Sequence, residues 1–273
     1  MRFAGLLLAS ASVAMFLACA PKAKPRPART PEPIPGPFDA AASMIPDGAI
    51  IKQDNPAFGK TGPAFDHYKN VTVMDNVPAD RFMTAMLALK TSIGAECKEC
   101  HPGEKYESDE MKAKGDTRVM VRLNNVVNLQ FFDRKARVTC YTCHRGKWTP
   151  SREPSLVDQV RPAKKKSVKL GDADASKPAD QVFKSVKSFQ GKTAGTLMSS
   201  MNQWTAALAV ECTHCHADTF DWAAENIGEK DVTREMVTLT KKINDTFFKG
   251  EPVVTCWGCH RGQAVPDRTA PRK

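Results

Sequence analysis

One short pattern constrains this chain more than any other, because it occurs four times. Cys-x-x-Cys-His is found at Cys97/Cys100/His101, Cys140/Cys143/His144, Cys212/Cys215/His216 and Cys256/Cys259/His260. These motifs use eight of the nine cysteines and leave only Cys19, so no disulfide framework is available. The two thiols of such a motif add across the vinyl groups of a haem, and the adjoining histidine supplies a nitrogen to the iron from one face. Structural zinc is the competing chemistry for paired cysteines. It gives no reason for a histidine directly after every pair. The expected cofactors are therefore four covalently bound haem c, with His101, His144, His216 and His260 on the irons.

Composition fits that expectation. The 273 residues are 41% hydrophobic, enough to bury a core, but only 7% aromatic. Haem would supply the missing apolar bulk and give a cofactor-filled core. The net charge of +10 first suggests nucleic acid. The propionates of four haems would offset most of that excess, so no nucleic-acid partner is expected.

The N-terminus reads as a signal peptide over 1–18, with Arg2 followed by an apolar run from Phe3 to Ala18. That run is too short to span a bilayer comfortably. Two cleavage readings stand side by side. Ala18-Cys19-Ala20 fits an A-x-A site but puts Pro21 directly after the cut. Phe16-Leu17-Ala18-Cys19 resembles a lipobox, with Cys19 as the lipidation site, and it also accounts for the ninth cysteine. Residues 19–49 would then be a lipid-anchored tether, with seven prolines between 21 and 37. This places the chain on the periplasmic side of a bacterial membrane, held there by its anchor.

An internal repeat organises the rest. An offset of 115 aligns Phe82-Met83-Thr84-Ala85-Met86 with Leu197-Met198-Ser199-Ser200-Met201, and the first motif with the third. An offset of 116 aligns Arg118, Met120, Asn128, Phe131-Phe132, Thr139 and His144-Arg145-Gly146 with Arg234, Met236, Asn244, Phe247-Phe248, Thr255 and His260-Arg261-Gly262. The domains expected are dihaem half 1 (50–150), a polar linker (151–179) containing Lys164-Lys165-Lys166, and dihaem half 2 (180–273). Apolar spacing predicts helices over 79–93 and 117–132, the latter capped by Asp116/Thr117, and repeats at about 194–209 and 232–248. The fold class expected is all-α, with two pseudo-twofold-related halves.

The sixth iron ligand separates a carrier from a catalyst. Met83 and Met198 each lie 14 residues before their first cysteine, Met86 and Met201 each 11, and Met120 and Met236 each 20. A helical methionine over the ring can present its thioether to iron, and His/Met ligation raises the potential. Core filling is the ordinary use of methionine, but the matched spacing favours one ligand per motif. Met83 and Met86 are one turn apart, so spacing does not choose between them, nor between Met198 and Met201. His67 and His214 are spare and read as surface or propionate-contacting residues. Arg145 and Arg261, directly after haem histidines, read as propionate partners, and Trp148, Trp204, Trp222 and Trp257 as haem packing.

These residues resemble the tetrahaem cytochrome c subunit of photosynthetic reaction centres. The likeness runs from Tyr68-Lys69-Asn70-Val71-Thr72-Val73-Met74 through the Phe82-Met83-x-x-Met86 helix and each Cys-x-x-Cys-His motif to Gly262. Met198-Ser199-Ser200-Met201-Asn202-Gln203-Trp204 is similar to the family's ligand helix, whose first methionine binds iron. The resemblance thus favours Met198 and Met83, beside Met120 and Met236. It implies four haems in a row and a lipid-anchored subunit. That subunit passes electrons from a soluble donor to a membrane-bound acceptor, the reaction-centre core, whose photo-oxidised donor it re-reduces. One departure stands out. Many members draw a ligand histidine from the stretch before the second motif, and residues 121–139 hold none. No nucleophile, acid–base pair or phosphate loop is present, so the chain reads as an electron carrier and not an enzyme. The competing readings are an electron-transfer lipoprotein of a non-phototroph, a multihaem reductase with an open haem, and a head-to-tail haem filament.

Overall fold

The computed structural model describes residues 62–74, 77–153, 170–216, 221–225 and 227–269. The leader, Cys19, the tether and Lys164–Lys166 lie outside the described residues. The described residues are helical, with two isolated antiparallel bridges, Pro63 with Pro78 and Pro178 with Thr193. Four long helices carry the structure: α1 (Ala79–Ile93), α2 (Lys112–Phe131), α3 (Ala194–Leu208) and α4 (Gly228–Phe247). Each is followed by a helical turn that holds a cysteine motif: Cys97–Cys100, Cys140–His144, Cys212–His214 and Cys256–His260.

α1 and α3 start and stop where the apolar spacing puts them, to within a residue. α1 follows Pro78, whose fixed φ suits a helix entry, and stops at Gly94 in the left-handed region at φ 66. Gly94 is also a point of close approach, since a Cβ there would clash with the Gly146 carbonyl oxygen. The Thr193 side chain caps α3 by accepting from the Thr196 N–H.

α2 begins five residues, and α4 about four, earlier than expected. Asp116 and Thr117 are not caps. Asp116 pairs with Lys112 one turn back at 2.6 Å, and Thr117 lies 3.9 Å from the Cys100 sulfur. In α4 the first turn carries Glu229 and Asp231, which favour the positive end of the helix.

The repeat extends further upstream than the motifs suggested. Ala64 N–H donates to Val77 and Ala79 N–H to Gly62; 115 residues on, Ala179 donates to Lys192 and Ala194 to Lys177. The sequence signal was the Pro-Ala pair at 63/64 and again at 178/179.

Among the described residues, the halves meet through long helices and through motif turns. α2 packs on α4 through Val127, Leu239 and Ile243, with Leu123, Phe131, Met236 and Phe248 against them. Burying each of the three central side chains is worth about 1.5–3 kcal/mol. The second contact is between the motif turns Cys140–His144 and Cys256–His260. Within each half, the first helix packs on the second motif turn, where Gly146 N–H donates to Ser92 and Gly262 N–H to Ala207, each at 2.8 Å.

The side-chain core is thin. Half of the buried apolar residues among those described are alanines, and the largest fully buried side chains are Val127, Thr139, Thr142 and Ser92.

Candidate haem sites

All four motif histidines share one hydrogen-bonding arrangement. His101 Nδ1 lies 2.9 Å from the Tyr106 carbonyl, His216 Nδ1 3.2 Å from that of Trp222, and His260 Nδ1 2.9 Å from that of Gln263. His144 Nδ1 meets the carbonyls of Lys147 at 3.0 Å and Trp148 at 3.1 Å. A carbonyl oxygen can only accept, so Nδ1 carries the proton in every case. Nε2 is then left as a bare nitrogen, the form that binds a metal. Burial pushes all four imidazoles below their ordinary pKa and favours the neutral ligand form.

The thiols are free and partly to mostly shielded, with Cys97 the exception. Burial raises Cys140 to about 11. Cys143 and Cys259 approach to 3.3 Å across the junction of the halves. That contact and burial push the Cys143 thiol up. The same contact, with Arg261 and Arg145 nearby, holds Cys259 down.

Around this sulfur pair the two halves exchange equivalent contacts. Arg145 donates to the Cys259 carbonyl at 3.3 Å and Arg261 to the Cys143 carbonyl at 3.2 Å. The Thr139 hydroxyl donates to the Arg268 carbonyl and the Thr255 hydroxyl to the Arg152 carbonyl, both at 2.6 Å. Arg145 also pairs with Asp267. The arginines expected to serve propionates thus clasp the two inner motifs together. Motifs 2 and 4 touch each other and form an inner pair. Motifs 1 and 3, the outer pair, lie each against the following long helix, with Cys100 near Thr117 on α2 and Cys215 3.6 Å from Thr233 on α4.

The third motif opens on a cavity of about 470 Å³. Its walls include Cys212, Cys215 and His216, facing Met198 and Met201, with Trp204 and Phe183. This volume falls within the ~300–1,000 Å³ common for cofactor clefts. Both candidate methionines line it, as their spacing of one turn requires. Met83 and Met120 are half-buried on α1 and α2. Met86 packs against the cluster around Leu89, and Met236 against the α2–α4 cluster. His67 follows the short turn Ala64–Asp66, and His214 is exposed; neither lines the cavity. Trp204 stacks edge-on with Phe189 and Trp222 with His216, Trp257 is buried, and Trp148 is about half exposed.

The residues present fit haem c. The cysteines and an Nε2-bare histidine sit together at each motif, and the third has a cavity of suitable size. They do not fit zinc, because no three His, Cys, Asp or Glu side chains converge among the described residues.

Groups that belong to no motif brace the outer motifs. Lys114 Nζ donates to the carbonyls of Tyr106 and Ser108, and Lys230 Nζ to those of Trp222 and Ala224. Alongside, Arg118 pairs with Asp109 and Arg234 with Glu225. Hydrogen bonds from Arg234, Ser185 and Lys187 hold Glu225 well below the usual carboxylate range. Lys114 and Lys230 stand at the repeat offset of 116, so the alignment itself carried the signal.

A helical chain with several Cys-x-x-Cys-His turns, each histidine fixed as a ligand tautomer, is of the multihaem cytochrome c class. The family model described as "Photosynthetic reaction centre cytochrome C subunit" matches twice, over residues 39–169 and 151–272. The chain belongs to that family, and the paired match agrees with its two halves. Among curated relatives, the "Photosynthetic reaction center cytochrome c subunit" of Thermochromatium tepidum is 26% identical over 77% of this chain and 63% of its own. Proteins of the same description from Roseobacter denitrificans and Rubrivivax gelatinosus are 24% and 23% identical, over 74% and 77% of this chain and 70% of theirs. The match thus spans less than two thirds of the Thermochromatium protein. No helix among the described residues is long and apolar enough to cross a membrane.

Proposed function

We propose that this chain carries four haem c and passes single electrons along them, from a soluble donor to a membrane-bound acceptor. Each haem would be held by thioethers to Cys97/Cys100, Cys140/Cys143, Cys212/Cys215 or Cys256/Cys259. His101, His144, His216 and His260 would bind the irons on one side. Met83, Met120, Met198 and Met236 are the proposed opposite ligands, with Met86 and Met201 the alternatives one turn along. When bound, the haem supplies an iron that cycles between two oxidation states. The protein's part is to fix the imidazole tautomer, exclude water and set the row.

The observation that carries this reading is the shared histidine geometry, four Nδ1–H groups each spent on backbone carbonyl oxygen. The close pairing of motifs 2 and 4 supports a row in the order 1, 2, 4, 3. Electrons would then enter and leave at the outer motifs. The reaction-centre core is the proposed acceptor, from the description the relatives bear. The leader and Cys19 support a lipid-anchored, periplasmic placement.

A pyridine haemochrome assay should give about four haems per chain, one for each motif; two or fewer would sink the assignment. Carbon monoxide should bind the ferrous protein slowly and below stoichiometry. Rapid stoichiometric binding would mean an open haem and a reductase instead.

A further inference from the structure

The two outer motifs share a device that the inner two lack. After each outer motif the chain loops back, and the carbonyl that accepts from the histidine also accepts from a lysine. The Tyr106 oxygen takes His101 Nδ1 at 2.9 Å and Lys114 Nζ at 2.9 Å. The Trp222 oxygen takes His216 Nδ1 at 3.2 Å and Lys230 Nζ at 2.8 Å. Each lysine is shielded: Lys230 is 8% exposed, and the Lys114 side chain 11%. Each spends a second donor on the same loop, at Ser108 or Ala224. Among the described residues, no lysine Nζ reaches the carbonyls of Lys147, Trp148 or Gln263, which serve the inner histidines His144 and His260.

A shielded ammonium rarely sits beside a metal ligand without consequence. It acts here in two ways of the same sign. Two donors on one carbonyl compete, so the His Nδ1–H···O bond weakens. The imidazole then carries less imidazolate character and gives less electron density to the iron. The positive charge also lies close to the site in a shielded setting, where it favours whichever oxidation state is less positive, an effect offset in part at Lys114 by the Asp109 carboxylate 3.4 Å from its Nζ. Both effects favour the reduced state.

We propose that Lys114 and Lys230 are positioning residues that act through the Tyr106 and Trp222 carbonyls on His101 and His216, and that they raise the reduction potentials of the two outer haems. This rests on the haem assignment above. Reduced carriers would then be favoured at the two ends of the row, where donor and acceptor dock, relative to the same haems without the lysines. The loop geometry alone would need only hydrogen-bond donors, so charge and shape are separable by substitution.

The test is Lys230→Gln and Lys230→Arg, with Lys114→Gln as the parallel case, in the haem-loaded full chain. Glutamine keeps a donor and removes the charge; arginine keeps both. Haem content is read first by pyridine haemochrome and by mass of the haem-bearing peptides. Potentiometric titration of the wild type and variants follows. In Lys230→Gln one midpoint should fall, with a change of about tenfold in that haem's redox equilibrium, or about 59 mV for one electron. Lys230→Arg should restore it, and Lys114→Gln should lower a different midpoint. Unchanged midpoints in a Lys230→Gln protein with full haem content would overturn the proposal. So would loss of the motif 3 haem in both the Gln and Arg variants, which would make the lysine a structural brace only. A wild-type chain without haem on motifs 1 and 3 would instead defeat the assignment beneath it.

Discussion

At the scale of single residues, the motif cysteines and histidines could be picked out from the sequence by their spacing alone. The partners of those histidines could not. Each is a backbone carbonyl, and a carbonyl has no residue signature. Asn128 shows the same gap. It marked the repeat in the sequence, but its work emerges only in the structure. Its Oδ1 accepts from the N–H groups of Arg137 and Val138 at 2.9 and 3.0 Å, and its Nδ2 donates to the Val138 carbonyl at 2.7 Å. Asn244 holds Val254 in the same way. Each asparagine therefore fixes the strand of chain that delivers the next motif. Asn128→Ala would leave partly buried backbone groups without partners, at about 1–3 kcal/mol per group. Denaturant unfolding of the haem-loaded protein should show a loss of about 3 kcal/mol, with Asn128→Asp in between. A loss under about 0.5 kcal/mol, the size typical of ordinary surface substitutions, would mean the loop is held by something else.

At the scale of elements, helix ends were legible where a residue's own chemistry sets them and misread where it only resembled a cap. Pro78, Gly94 and Thr193 do what their types suggest. Asp116 and Thr117 have the composition of a cap but fall inside α2, because Lys114 ties the preceding turn to the loop after motif 1. The two copies also test each other. α1 ends on Gly94, whereas α3 ends on Ala209, held at φ 51 where an L-residue is strained. That conformation costs a non-glycine residue about 1–2 kcal/mol. Ala209→Gly should relieve it and raise the thermal midpoint, with a net gain of about 1 kcal/mol after glycine's greater unfolded-state entropy. The reverse change, Gly94→Ala, should be far worse than a simple left-handed penalty. Its methyl would meet the Gly146 carbonyl oxygen, which is fixed by the Gly146-to-Ser92 hydrogen bond. Thermal melts of both variants check the pair. A stabilised Gly94→Ala would contradict the close packing of α1 on motif 2.

At the scale of the whole molecule, the repeat was legible but its closure was not. Thr139 reaches Arg268 across 129 positions, and Thr255 reaches Arg152 across 103. Periodicity and spacing say nothing about pairs so distant that end on a carbonyl. These contacts are exchanges, since each half lends its trailing segment to the other's inner motif. The apolar seam is exchangeable too. Leu123, Val127, Phe131, Phe132 and Val138 of one half stand at the positions of Leu239, Ile243, Phe247, Phe248 and Val254 of the other. A seam whose sides are equivalent can close on a second copy of either side. The fragment 50–153, matured with haem, should therefore form a homodimer in which α2 packs on α2 and Arg152 of each copy answers Thr139 of the other. Sedimentation should show twice the fragment mass. Val127→Asp should shift it to monomer, because an unpaired carboxylate in the seam is costly to bury. A fragment that stays monomeric and soluble at high concentration, with its haems attached, would show that the halves differ at the seam more than their contacts indicate. The proposed row of haems would then depend on features unique to each half, and not on the twofold plan that the four motifs announce.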